Sequence, residues 1–239
     1  KFYDDFDEDG EVYSLCIAPD GSVYAALRGL ASPGAEHGRL PVIYHISPEG
    51  KLLNSFTVGE REWNIVDSMA TDAQGRLYMR MRMQEDGSYV RIYSAEGELI
   101  GTVADDDSYA VQGAGALGQG KDGKVYAAAQ AVGNTTAGDM AMTLVSVDPE
   151  SLRLVPVAGG ENVICSADTI YPWKMVAAGV SDGSDFILWG YSGVDTYRLE
   201  DAEFTRAQEV WEMPCGTEGT CAVIVPDGRI LYIGASDGF

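Results

Sequence analysis

The sequence predicts an all-β fold: a β-propeller of four-stranded antiparallel blades, about four and a half of them visible, belonging to a larger ring. Three observations carry this expectation: a recurring hairpin phrase, four strand-like runs around each copy of it, and an excess of glycine. The phrase is plainest in Cys16-Ile17-Ala18-Pro19-Asp20-Gly21-Ser22-Val23-Tyr24, an apolar run, a Pro-Asp-Gly turn and a second apolar run led by Val-Tyr. It returns around Asp72-Ala73-Gln74-Gly75-Arg76-Leu77-Tyr78, Asp122-Gly123-Lys124-Val125-Tyr126 and Asp227-Gly228-Arg229-Ile230-Leu231-Tyr232, with a degenerate copy at Asp182-Gly183. The turn glycines Gly21, Gly75, Gly123, Gly183 and Gly228 are therefore separated by 54, 48, 60 and 45 residues. Glycine suits such turns because it takes positive φ without a Cβ penalty, and Asp-Gly between apolar runs is a strong hairpin signal. The 29 glycines are about 12% of the chain against a usual ~7%, which fits many short strands joined by tight turns.

Each unit is read in the same order. Val12–Ala18 and Val23–Leu27 form the first hairpin, and Pro41–Ile46 and Lys51–Val58 a second around Ser47-Pro48-Glu49-Gly50. The next blade has Asp67–Thr71, Leu77–Met83, Tyr89–Tyr93 and Leu99–Val103. The third has Ala114–Gly120, Val125–Ala131, Thr143–Val147 and Arg153–Val157, and the fourth Met175–Val180, Phe186–Gly190, Asp195–Leu199 and Glu203–Val210. Ala222–Pro226 and Ile230–Ala235 begin a fifth. The blades thus span approximately 12–58, 65–103, 114–157, 175–210 and, incompletely, 222–239, as one propeller domain or a fragment of one. Four strands in a period of 40 to 55 residues is the signature of propeller blades, whose faces are buried only by packing on neighbours. The Val-Tyr pair should then send its aliphatic side chain to one neighbouring blade and its aromatic to the other. Only Asp201–Met213 has any helical spacing, and its place in the repeat favours strands. Four blades and half of another do not close a ring comfortably: either Phe2–Phe6 supplies a missing strand or, as preferred, the parent chain carries further blades, the fragment otherwise self-associating through its end blades.

Composition narrows the function. Sixteen Lys+Arg stand against 37 Asp+Glu, a net charge of −21, which repels phosphate backbones and argues against nucleic-acid binding. The same acidity also serves as a plain solvated surface. No apolar run approaches the ~20 residues of a membrane helix. The four cysteines do not make a disulfide framework, although Cys215 and Cys221 flank a short loop and could close a ring; Cys16 falls in an inner strand and packs there. Asp5, Asp7, Asp9 and Gly10 match the first half of a calcium loop, but the twelfth position is Cys16 where a bidentate Glu is required. That stretch reads as an acidic leader.

The connections between blades and the loops between second and third strands share one face of a propeller. In this chain they carry Trp63, Tyr109, Tyr171, Trp173 and Tyr191, aromatics suited to stacking on a glycan, peptide or flat ligand, or to capping the core from above. Asp105, Asp106 and Asp107 lie on the same face and could hold a cation, Ca²⁺ being the candidate, or simply be solvated; no other cofactor is indicated. His37 and His45 are the only histidines, and neither lies near a Gly-x-Ser-x-Gly elbow.

The Asp-x-x-Gly-x-Val/Leu-Tyr phrase, followed by an Ile/Val-Tyr strand and a Glu-Gly turn, resembles NHL-like and related six-bladed propellers. The phrases Val12-Tyr13-Ser14-Leu15-Cys16-Ile17-Ala18-Pro19-Asp20-Gly21-Ser22-Val23-Tyr24 and Asp67-Ser68-Met69-Ala70-Thr71-Asp72 resemble propeller regions of exported bacterial lipoproteins that also carry an extracellular solute-binding module. That resemblance implies a bacterial extracellular or cell-surface recognition domain binding a glycan, a peptide or a partner module, with a solute-binding module elsewhere in the parent chain. The alternative is a propeller enzyme of lyase or lactonase type with a divalent metal in the central channel, reached by Asp67, Asp105 and Gln112.

Overall fold

In a computed structural model, the described residues are 10–29, 40–59, 65–83, 87–104, 109–111, 117–131, 142–160, 172–178, 185–190, 193–200, 203–211, 219–224 and 230–234. Among them every regular element is a strand. Two compact units divide the chain, Lys1–Ala104 and Asp105–Phe239.

The first unit holds two meander sheets. β1 (Gly10–Ile17), β2 (Val23–Gly29), β3 (Val42–Ile46) and β4 (Leu52–Thr57) pair in chain order, all antiparallel. β5 (Ile65–Thr71), β6 (Leu77–Met83), β7 (Gly87–Tyr93) and β8 (Leu99–Ala104) repeat that order. The second unit has β9 (Tyr109–Val111), β10 (Leu117–Gln119), β11 (Val125–Ala131), β12 (Met142–Asp148) and β13 (Arg153–Pro156) in its first sheet. There β9 and β10 both pair with β11, one beyond the other, so together they fill a single lane. A further four-stranded sheet comprises β14 (Pro172–Ala178), β15 (Asp185–Gly190), β16 (Gly193–Glu200) and β17 (Glu203–Trp211), followed by the hairpin β18 (Gly219–Ile224) and β19 (Ile230–Gly234). Within the Asp201–Met213 stretch the described residues, Glu203–Trp211, form strand β17, as their place in the repeat required.

One turn design makes most of these hairpins. At Ala18–Ser22, Ser47–Lys51, Asp72–Arg76, Ser94–Glu98 and Gly120–Lys124, the first residue's N–H donates to the carbonyl four residues on, and the glycine N–H donates back to the first carbonyl. The glycines Gly21, Gly50, Gly75, Gly97 and Gly123 have φ of 83°, 82°, 78°, 90° and 77°. This is the three-residue hairpin loop in which a β-turn is followed by a left-handed glycine bulge. The recurring glycine is therefore the bulge residue, one place beyond the turn's two central residues.

The second strands of the first three sheets, β2, β6 and β11, are apolar on both faces, and both are buried. In the first unit Tyr24, Ala26 and Ile43 of the first sheet pack with Met69, Leu77, Met79, Met81 and Tyr93 of the second. Tyr24 and Leu77 meet in this layer, while Val23 and Tyr78 turn to the opposite faces of their strands, the division of labour expected of each aliphatic-aromatic pair. Thr71 Oγ1 donates to the Ile17 carbonyl at 3.1 Å, tying β5 to β1. At the outer edge Asn54 Nδ2 donates to the Glu96 carbonyl at 2.9 Å, and Phe56 lies with its ring centroid 5.7 Å from that of Tyr93. In the second unit a parallel bridge joins Ala158 to Glu203 between the two larger sheets.

Two turn glycines separate conformation from space. A Cβ on Gly75 would meet nothing within 4 Å, whereas one on Gly97 would lie 2.6 Å from Phe56 Cδ1. Gly75→Ala should therefore cost only the left-handed backbone penalty, about 1–2 kcal/mol. Gly97→Ala should cost that plus an overpacking penalty of about 1–3 kcal/mol. Urea unfolding of the two variants checks this; equal losses would show that Phe56 does not rest on Gly97.

Candidate functional site

The first strands of the sheets depart from regular pairing at matching places. Val12 and Ser14 oppose Leu27 and Ala26, leaving Tyr13 as an extra residue on β1. Asp67 is the extra residue on β5, Trp173 on β14 and Thr220 on β18. Tyr13 and Asp67 each stand five residues before the first residue of their turns, Ala18 and Asp72. Within each unit these first strands approach one another, β1 beside β5 and β10 beside β14, so they are the inner strands. A bulge breaks the in-out alternation and re-aims one side chain, which is why bulges gather beside binding sites. All four lie toward the strand starts, at the end away from the Asp-Gly turns.

At two of these bulges the described side chains have different fates. Tyr13 is 39% exposed. Asp67 is ion-paired with Arg80 of the neighbouring strand, the two side chains 6% and 4% exposed. Removing either partner would strand a buried charge. Arg80 was hidden in the sequence by the Leu-Tyr-Met-Arg-Met-Arg-Met run of β6, although a lone cation at an inward position of a two-faced strand signals an acid beside it.

The other polar constellation lies at the turn end. Asp72 accepts from the Gln74 and Arg76 amides at 3.0 and 2.9 Å, from Arg76 Nε at 2.5 Å and from the Tyr78 hydroxyl at 2.9 Å. Asp122 accepts from the Lys124 amide at 3.2 Å and from the Tyr126 hydroxyl at 2.8 Å. Burial first, then the Asp122 bond, raises the Tyr126 phenol above its ordinary range.

The first sheet differs. Asp20 accepts from the Ser22 amide and hydroxyl at 2.9 and 2.6 Å, and Ser22 Oγ lies 2.7 Å from His45 Nε2. The His45 ring stacks on Tyr24, its cross-strand partner, at 4.1 Å between centroids. A carboxylate can only accept, so Ser22 spends its proton on Asp20 and must accept from His45 Nε2–H. A nucleophilic serine has the reverse polarity, donating to its histidine. Ser22 is also 0% exposed. Despite its composition, this Ser-His-Asp set is wired as a structural network. It was missed in the sequence because its members sit on different strands; the register that puts Tyr24 opposite His45 is what assembles it.

The residues anticipated from sequence fall as follows. Tyr109 belongs to β9, where it pairs with Ala131, rather than to an open loop. Trp173 lies in β14, at its bulge, rather than in the connection before it. Trp63, Tyr171, Tyr191, Asp105, Asp106, Asp107, Gln112, Cys215 and His37 lie outside the described residues. Among the described residues no cluster of three or more His, Cys, Asp or Glu is placed to hold a metal. Cys16 packs against the core of the first unit, and burial pushes its thiol up to about 12, as its inner-strand position implied. Among the described residues no helix is long and apolar enough to cross a membrane.

Solved structures share this architecture. A protein of unknown function from Dyadobacter fermentans superposes over 95% of this chain and 75% of its own length, with 15% identity and a TM-score of 0.56. A candidate TolB from Agrobacterium tumefaciens matches over 96% of this chain and 72% of its own, at 12% identity and 0.51. A puromycin-hydrolysing peptidase from Mycobacterium tuberculosis matches over 91% of this chain but only 33% of its own length, at 13% identity and 0.50. No family model and no curated protein matches the sequence. The fold is an all-β propeller type with four-stranded antiparallel blades.

The buried turn network gives a graded test. Tyr78→Phe should cost about 1 kcal/mol, the net worth of one hydrogen bond. Asp72→Ala should cost on the order of 3 kcal/mol, because it also removes the acceptor of Arg76 Nε and of two turn amides. Thermal melts of both variants read this, and equal losses would mean that the carboxylate's other partners contribute nothing.

Proposed function

We propose that the chain is an extracellular, non-catalytic recognition domain holding a glycan, peptide or partner module at the bulged ends of its first strands. The observation that carries this reading is the placement of aromatic residues at those bulges: Trp173 on β14 and the partly exposed Tyr13 on β1. The inter-blade connections run into the strand starts and contribute Trp63 and Tyr171 in sequence, and the connection between β15 and β16 contributes Tyr191. Aromatics at a rigid strand end offer large contact area at small entropic cost. The described polar sets support the same reading, since Asp67 is neutralised by Arg80 and Ser22 is committed to Asp20. A bacterial cell-surface setting, of NHL-like or lipoprotein type, and a solute-binding module in the parent chain belong to this proposal through the sequence resemblance.

Screens against glycan arrays and peptide libraries test it, with Trp63→Ala, Trp173→Ala and Tyr13→Ala as controls checked for folding by circular dichroism. The expected result is a ligand whose affinity falls at least about tenfold, or ~1.4 kcal/mol, in one or more of these variants. Ligands that bind all three as well as the original would remove the bulged strand ends from the reading. Elemental analysis covers the enzyme alternative: stoichiometric calcium or zinc would favour a metal-dependent lyase or lactonase instead.

A further inference from the structure

We propose that the ligand held at the bulged strand ends is an extended peptide whose apolar side chains lie along Val12, Leu15 and Ile17 of β1. This deepens the recognition reading and rests on it. The bulge itself makes the row. In an unbroken strand, positions 12 and 15 would face opposite sides of the sheet. The extra residue Tyr13 instead sets Val12 opposite Leu27, Leu15 opposite Ala25 and Ile17 opposite Val23, so all three share one face of the first sheet. They are 58%, 61% and 70% exposed, and Tyr13, beside Val12 in the chain, is 39% exposed. The row starts at the bulge and runs toward the turn, over roughly 15 Å at about 3.3 Å per residue.

The second sheet shows what such a row receives. Its bulge at Asp67 sets Val66, Met69 and Thr71 at the same register positions, opposite Met81, Met79 and Leu77. Those three are 2%, 5% and 1% exposed. Cys16, Tyr24 and Ala26 of the first sheet pack in the layer with them. What covers the buried row is therefore extended polypeptide bearing apolar side chains. The row on β1 has the same chemistry and is open, and contiguous exposed apolar surface marks a binding site.

Three occupants compete for it, and their chemistry separates them. A glycan would press hydroxyls against side chains that offer no hydrogen bond, and an unpaired buried hydroxyl costs free energy. A second copy of the chain would bring another net charge of −21 toward the first, and like charges oppose that approach. A separate extended peptide with apolar residues at alternate positions presents them all on one side. Lysine or arginine flanking those residues is drawn in by the negative field. The ligand is thus an apolar segment of about five or six extended residues with neutral or basic flanks.

The experiment screens the 239-residue chain against synthetic peptides whose alternate positions are apolar or polar and whose flanks are basic, neutral or acidic. A glycan array runs in parallel, and hits are titrated by fluorescence anisotropy. Leu15→Thr and Ile17→Thr, alone and together, remove apolar area at exposed positions yet keep strand-compatible side chains; thermal melts check their folding. The expected result is binding to alternately apolar peptides with neutral or basic flanks, weaker by at least about tenfold in the double variant. Added salt should weaken the basic peptides further. Either single variant carries the comparison if the double variant melts early. Peptide affinity unchanged by these substitutions would overturn the row; if it falls in Tyr13→Ala or Trp173→Ala, the bulged ends remain the site. A preference for acidic flanks would also overturn the proposal. A glycan ligand alone would overturn it and leave recognition standing, whereas binding to neither class would end both readings. Sedimentation covers the second copy: self-association of the original chain that disappears in the double variant would assign the row to that copy and overturn the peptide.

Discussion

The structure depends on a constraint that is local and repeated: five of the described hairpins turn through a glycine at positive φ. The glycine's left-handed conformation fixes the loop length, and the loop length fixes which residues of the two strands stand opposite each other. In a strand the side chains alternate with a period of two, so a slip of one residue would exchange the two faces of the sheet. Here that exchange would put Tyr24 where Val23 stands and Leu77 where Tyr78 stands. The turn also sets where the aromatic comes. Tyr24, Tyr78 and Tyr126 each follow six residues after the first residue of their turns, Ala18, Asp72 and Gly120. All three are 1% exposed, which a drifting register could not achieve.

Two-faced burial is the second consequence. A sheet against water on one side alternates apolar and polar residues, whereas one covered on both sides reads as a nearly continuous apolar run. β11, Val-Tyr-Ala-Ala-Ala-Gln-Ala, and β2, Val-Tyr-Ala-Ala-Leu-Arg-Gly, are of the second kind. Small residues let neighbouring sheets approach, and the tyrosines fill the layer between them. The outermost strands show the opposite logic. β4 alternates between half-buried and exposed positions, and its extra residue Leu53 is 55% exposed. In the first sheet burial is deepest in β2 and β3, which have paired strands on both edges, and falls at both edge strands, where Val12, Leu15 and Ile17 of β1 as well as Leu53 of β4 are exposed.

The repeat, the strand order and the four-stranded meander were legible because turn glycines and apolar runs are local signals. The strand limits of β6 and β11 agree with the sequence reading to the residue. What was not legible depends on register. The bulges at Tyr13, Asp67, Trp173 and Thr220 leave no mark in composition, since a bulge is a count of residues against a partner strand. The same holds for β9, which lengthens an inner lane from beyond the start expected at Ala114. Trp173 and Tyr109 were read as aromatics of the connecting loops, and their placement in strands β14 and β9 was not visible. The Ser22–His45 pair was invisible for the same reason, as 23 residues and a whole loop separate its members.

The β1–β2, β5–β6 and β10–β11 turns show how one polar requirement is met in different ways. A buried tyrosine hydroxyl needs an acceptor, and the hairpin offers two places for a carboxylate within reach of it: the turn's first residue, as Asp72, or its third, as Asp122. Only one is needed. In the turn that uses Asp122 the first residue is Gly120, and a Cβ there would lie 2.7 Å from Tyr126 Cε2 and 2.8 Å from Asp122 Oδ1. The carboxylate at the third position thus occupies the space that a side chain at the first would take. The first sheet has its carboxylate at the third position too, as Asp20, but Ser22 intercepts it. That interception changes what surrounds the tyrosine. With Asp20 engaged by Ser22, the ring of Tyr24 gains a stacking partner, His45, whose Nε2–H completes the serine. One hydroxyl at position 22 thus converts a turn that elsewhere holds a tyrosine by a single hydrogen bond into a three-residue relay ending on an ionisable ring. The scaffold stays the same, and the one described histidine stands at the joint between two sheets.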